Sequence, residues 1–168
     1  MTERPTLARA RWLKEPGLKA IFAAIAGAGG EARVAGGAVR NALMGERLAD
    51  IDLATTLDPA AATAACEKAG MKVVPTGIDH GTVTVISGGR PYELTTLRHD
   101  VETDGRRAKV SFTEDWRADA LRRDFTMNAL FCDARGKLYD FTDGYRDIVR
   151  KRVIFVGAPA KRIKEDYL

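Results

Sequence analysis

Apolar runs alternate with polar breaks along this chain at spacings that predict an α/β (α+β) protein. Residues 18–28 repeat apolar side chains at helical spacing and read as a helix ahead of the first strand. Residues 33–35 and 51–54 read as short strands flanking a helix over 39–44. Asp58 is placed to cap a helix that begins at Pro59 and runs to about Ala69. A short strand over 71–74 follows. Residues 82–86 and 92–97 are β-rich runs around S-G-G-R, a hairpin signature. The polar segment 100–109 reads as a mobile loop. Beyond it the pattern predicts helical stretches over 115–121 and 124–130, then short strands over 137–139 and 153–156. Pro159 opens a charged helix that runs to the last residue.

The stretch from Gly36 to Asp52 turns this fold class into a chemistry. It reads G-G-A-V-R-N-A-L-M-G, then E-R-L-A, then D-I-D. Gly36 and Gly37 allow a sharp turn and close approach of backbone to a ligand. The N–H groups at the helix start that follows have no internal partner and favour an anion. Arg40 lies about one turn further on, where its fork can grip a phosphate. Asp50 and Asp52 stand two residues apart. On a strand both carboxylates face one side, with Cα atoms roughly 6.6 Å apart. Their oxygens can then converge on two cations about 3.5–4 Å from each other. Oxygen ligands of this kind suit magnesium.

Taken singly, these features are commonplace: a tight turn, an exposed strand end, a solvated helix arginine. Their conjunction in this order points to nucleotide chemistry. Glu93 offers a third acid. In Y-E-L-T-T-L-R it interrupts a β-prone run, where an unpartnered acid is unusual. Beside the strand bearing Asp52 it completes a three-carboxylate cluster. Facing solvent, or paired with Arg98, it is merely structural.

Composition narrows the field. The 168 residues are 45% hydrophobic and 30% charged, which suits one domain with a real core. A net charge of +4 is compatible with RNA or nucleotide partners without requiring them. No apolar run is long enough to span a membrane, and M-T-E-R-P-T-L is not a secretory signal. Cys66 and Cys132 lack disulfide or zinc spacing and read as small core residues in a reducing cytoplasm. Trp12 and Trp116 read as packing residues, His80 as a structural hydrogen-bonder, and His99 as a solvated residue at the loop start.

Several stretches resemble one family in order along the chain. They are G-G-A-V-R-N-A-L-M-G-E-R-L-A-D-I-D-L-A-T, H-G-T-V-T-V, Y-E-L-T-T-L-R, E-D-W-R-A-D-A-L-R-R-D-F-T-M-N-A-L, L-Y-D-F-T-D-G and R-I-K-E-D-Y-L. The chain resembles the head domain of class II tRNA nucleotidyltransferases, the CCA-adding enzymes, and of the related bacterial poly(A) polymerases. The resemblance implies a nucleotidyltransferase fold, a small mixed sheet backed by helices, over residues 1–157. Residues 158–168 would start a helical neck.

The resemblance also implies roles. Asp50 and Asp52 would hold Mg2+, with Glu93 as the third acid. Gly36, Gly37 and Arg40 would meet the incoming triphosphate. Arg122, Arg123, Asp124 and Asn128 would contact its sugar and phosphates, and Glu165 and Asp166 would begin a base-selecting motif. The segment 100–109 matches a loop that assists the change from C to A addition. The implied partners are the tRNA 3′ end, CTP and ATP. Two departures stand out. Asn41 replaces an Asp common in the family, and the chain stops at Leu168, just before the expected motif arginine. The alternatives are a poly(A) polymerase and a truncated module that binds nucleotide or RNA without turnover.

Overall fold

The computed structural model describes residues 4–48, 50–101 and 109–166, with the side chains of 109, 110, 165 and 166 outside the description. In chain order the elements are α1 (Pro16–Gly27), β1 (Ala32–Ala35), α2 (Gly37–Met44), β2 (Asp52–Thr55), α3 (Pro59–Lys68), β3 (Lys72–Gly77), β4 (Thr82–Ser87) and β5 (Arg90–Thr96). There follow β6 (Arg98–Val101), β7 (Lys109–Phe112), α4 (Trp116–Leu121), β8 (Leu130–Cys132), β9 (Leu138–Asp140), α5 (Gly144–Val149) and α6 (Pro159–Asp166). Asp58 caps α3 as its position predicts, its side chain accepting from the N–H of Ala61 at 2.8 Å. The β4–β5 hairpin turns through Gly88 and Gly89, whose φ values of 58° and 75° match the tight turn that two glycines permit.

Seven strands form one sheet in the order β3-β4-β5-β2-β1-β8-β9, and β6 pairs with β7 in a separate ribbon. Only the central β2–β5 pair is parallel; its neighbours in the sheet run antiparallel. The sheet is therefore mixed and backed by helices, as expected. Alternation assigns each strand residue to a face. Val34, Leu53, Val83, Val85 and Leu94 join Leu18, Ile21 and Ile25 of α1 in the larger core. The opposite face carries Ala35, Ala54 and Phe131, which pack with Trp116 and Ala120 of α4, Leu97 and Val156.

Alpha-4 is too short to hold itself by helix propensity alone. Its Trp116 meets the Phe131 ring edge-on at 5.2 Å. Arg33 lies between Trp116 and Tyr139, 4.1 Å and 3.5 Å from the ring centroids, and pairs with Glu31 at 2.7 Å. This stacked cation fastens α4 over the sheet.

The structure corrects several expectations. Residues 124–130 are not a helix: they form one 3-10 turn, Thr126–Asn128, and then enter β8. The reason is local. Asp124 accepts from the Phe125 N–H at 2.6 Å and from the Asn128 side chain at 3.2 Å, side-chain bonds that compete with helix formation. The expected strand over 153–156 is reduced to an isolated bridge between Phe125 and Phe155. His99 does not open a loop; it lies within β6 opposite Ser111. Of the expected loop, residues 102–108 lie outside the described residues. Asp50 and Ile51 precede the ordered strand, which starts at Asp52.

Candidate active site

Asp52 and Glu93 stand directly opposite each other in the register of β2 and β5. Cross-strand neighbours of this kind bring their side chains to one face. Leu53 and Leu94 turn into the larger core, so Asp52 and Glu93 face the other way, into a cleft of about 450 Å³. Small residues, Ala35 and Ala54, form part of its floor and leave the space open. Asp50 lines an adjoining hollow of about 340 Å³ that shares Asp52 and Glu93 with the cleft. Asp52 and Glu93 thus line both hollows and Asp50 only the second; the expected three-carboxylate cluster is not formed among the described residues, because Asp50 lies ahead of the strand that pairs Asp52 with Glu93.

The far wall is basic. Arg40, Arg98, Arg122 and Arg123 all line the cleft, together with Gly36, Gly37, Asp124 and Asn128. Gly36 adopts φ 66° and ψ −123°, a combination that suits glycine alone. A Cβ there would stand 3.3 Å from Nη1 of Arg123 and 3.5 Å from the carbonyl oxygen of Asn128. The turn delivers the free N–H groups of α2 to the cleft edge. Arg40, one turn into α2, donates from Nη1 to Oδ1 of Asn128 at 2.6 Å and from Nε to Oδ1 of Asn41 at 3.0 Å. Asn41 in turn donates to the carbonyl of Arg47 at 3.1 Å, tying Arg40 to the segment that leads to Asp50. An Asp at that position could accept from Arg40 but could not donate to Arg47.

Asp119 organises the remaining arginines. It is 1% exposed and its two oxygens are divided between neighbours. Oδ1 accepts from Nε and Nη2 of Arg122 at 3.2 and 3.1 Å and from the N–H of Arg98 at 3.0 Å. Oδ2 accepts from Nε and Nη2 of Arg123 at 3.2 and 3.0 Å. One buried carboxylate therefore fixes two guanidinium groups in the cleft wall. Arg98 donates from Nη1 to the carbonyl of His80 at 3.1 Å, while its buried Nε has no partner among the described residues. Burial lowers the Arg98 pKa, as does the charge of Arg122, with Asp119 and Asp100 opposing.

Asp119, and Arg98 as a cleft residue, were not expected from the sequence. Asp119 had a signal: an acid three and four residues before an arginine pair on a helix is correctly spaced to bond both. Asp124 and Asn128 line the cleft as expected, with Asn128 bridging Asp124 and Arg40. Asp166 is the last residue of α6, and its side chain lies outside the described residues.

The acids form an unneutralised group. Partial loss of water raises the Asp52 pKa, the charges of Glu93 and then Asp50 raise it further, and Arg123 lowers it. The residue as a whole is exposed, so this loss of water is only partial. Among the described residues no three His, Cys, Asp or Glu side chains stand close enough to cage an ion unaided.

The class this fold and cleft define is a nucleotidyltransferase-type head domain. Residues 32–154 match the family described as Poly A polymerase head domain, and the chain belongs to it. It is 48% identical to CCA tRNA nucleotidyltransferase 1, mitochondrial, of Danio rerio, over 82% of this chain and 32% of that protein. A crystal structure of the Bacillus stearothermophilus CCA-adding enzyme in complex with CTP superimposes with a TM-score of 0.79 at 35% identity, covering 91% of this chain and 37% of the other. A tRNA nucleotidyltransferase complexed with a primer tRNA and an incoming ATP analog matches with a TM-score of 0.68 at 26% identity, covering 88% and 41%. The chain spans about a third of the length of the curated relatives it matches.

Proposed function

We propose that this chain is the catalytic head of a magnesium-dependent enzyme that adds CCA to the tRNA 3′ end from CTP and ATP, releasing pyrophosphate. The observation that carries the reading is the pairing of Asp52 with Glu93 on parallel strands, facing four arginines across one cleft. Residues 1–157 form the head in this reading, and 158–168 begin the neck. The relatives support the substrates: one is a complex with CTP, another with a primer tRNA and an ATP analog.

Asp50 and Asp52 would hold magnesium, with Glu93 as the third acid. When bound, the metal supplies charge neutralisation on the triphosphate and a more acidic attacking hydroxyl. The backbone N–H groups after Gly36 and the Arg40 guanidinium receive phosphate oxygens. Arg122 and Arg123, held by Asp119, grip the sugar and phosphates, and Asp124 with Asn128 fixes the ribose edge. Asp166 on α6 contributes to base choice. Positioning and electrostatics do the catalytic work, so no covalent nucleophile is required. Cys66 and Cys132 are buried and free, which supports a reducing compartment, the cytoplasm in this reading. Among the described residues no helix is long and apolar enough to cross a membrane.

The test is incubation of the full-length protein with magnesium, labelled CTP and ATP, and tRNA lacking its last three nucleotides. Growth by three residues ending in A supports the proposal. Long A tails would make it a poly(A) polymerase instead. Nucleotide binding with no incorporation would leave a binding module.

A further inference from the structure

Arg162 lies on α6, yet its guanidinium is spent on a different part of the fold. It is 8% exposed. Nη1 donates to the carbonyl of Arg122 at 2.9 Å, Nη2 to the carbonyl of Leu121, and Nε to the carbonyl of Val156 at 3.0 Å. Leu121 is the last residue of α4 and Arg122 its C-cap. The final carbonyls of a helix lack internal partners and carry partial negative charge. Alpha-4 has no basic residue in its own last turn. Arg162 supplies that charge from forty residues away.

Those carbonyls belong to the cleft wall. The oxygen on Arg122 is part of the peptide bond that joins it to Arg123, and both side chains line the cleft. Val156 is fastened to the same strip, its N–H donating to the carbonyl of Asp124 at 2.7 Å, while Thr126 donates to the carbonyl of Ile154 at 2.9 Å. The Phe125 and Phe155 rings pack at 4.8 Å. The segment entering α6 is thus zipped along the segment holding Arg122, Arg123 and Asp124, and Arg162 closes the zip. Glu165 and Asp166 come three and four residues later, one turn further along α6.

We propose that Arg162 is a positioning residue that sets α6 against the Arg122–Arg123 peptide, so that base choice and the grip on sugar and phosphate are adjusted by one joint. This rests on the nucleotidyltransferase reading of the cleft. The planar fork is essential, because three carbonyls are met by three nitrogens held in one plane. Lysine keeps the charge but can reproduce neither the plane nor the spacing.

Arg162→Lys and Arg162→Met, made in the full-length protein, test this in two ways. Amide hydrogen exchange of the uncomplexed protein should speed up by about tenfold or more at 121–124 and at 159–166 together, with the rest of the sheet unchanged. With tRNA lacking its last three nucleotides, the preference for CTP over UTP in kcat/KM should fall by about tenfold in both variants. A role confined to fold stability predicts equal losses for the two nucleotides. Faster exchange in only one segment, or a CTP preference within about twofold of wild type in a folded variant, overturns the joint. Should Arg162→Met fail to fold, Arg162→Lys carries both measurements. A wild type that adds no nucleotide while both segments still loosen together would reject the enzyme reading and leave the joint standing.

Discussion

The Asp52 carboxyl sits where lost hydration and two neighbouring acids, Glu93 and Asp50, disfavour its charge. A carboxyl whose folded-state pKa lies above the unfolded value adds stability only below the unfolded pKa. That contribution disappears as pH rises through the folded pKa. At neutral pH the ionised Asp52 therefore works against the fold. Asp52→Asn is expected to raise Tm at pH 7 in the presence of EDTA, while cutting nucleotide transfer by about 1000-fold or more. Calorimetry across pH 4–8 checks the sign: the gain should shrink toward acid, and a lower Tm for the variant at pH 7 would contradict the electrostatic account. Asp119 presents the opposite case, a buried carboxylate with partners on both oxygens. Asp119→Ala leaves two guanidinium groups in the cleft wall uncompensated and should cost about 3–5 kcal/mol in denaturant unfolding. A loss under about 1 kcal/mol would mean the arginines hold their places without it.

Elements place these residues. The parallel β2–β5 pair aligns two acids from sequence positions forty-one apart, and the Gly36 turn aims α2 at the same cleft. Gly36→Ala should cost about 1–3 kcal/mol from backbone strain. The new methyl would also press on Arg123, raising KM for the nucleotide more than it lowers kcat. Unchanged KM would separate the turn from nucleotide grip. The same level explains what could be read in advance. The helix cap at Asp58, the glycine hairpin and the Asp52 strand carry short-range signals and were legible. Residues 124–130 misled because their apolar spacing suits a helix, while Asp124 captures two local donors and β1 offers β8 an edge to pair with. The role of Arg162 at the end of α4 could not be assigned from sequence, since the Leu121 and Arg122 carbonyls it meets lie some forty residues back in the chain.

Across the whole molecule the sheet separates two cores. One, under α1, α2 and α3, is large; the other, under α4, is small and borders the cleft. Asp52 and Glu93 face the second side, while α2, which carries Gly37 and Arg40 to the cleft, is seated on the larger core through Ala38 and Val39. Both thiols lie in the interior. Burial, with a lesser push from Asp133, raises the Cys132 pKa to about 12, and burial also raises that of Cys66. At pH 8 neither should react with a thiol reagent in the native protein, and both should react after denaturation. Rapid native labelling would show that the core opens.

In the proposed function, Asp52 and the arginines lining the same cleft act as one divalent-dependent nucleotide site. Calorimetric titration of CTP into this chain, with magnesium and then with EDTA, tests it most directly. The account predicts binding that weakens about tenfold or more when magnesium is removed, and to a similar degree in Asp52→Asn with magnesium present. Equal CTP affinity under all three conditions would contradict it.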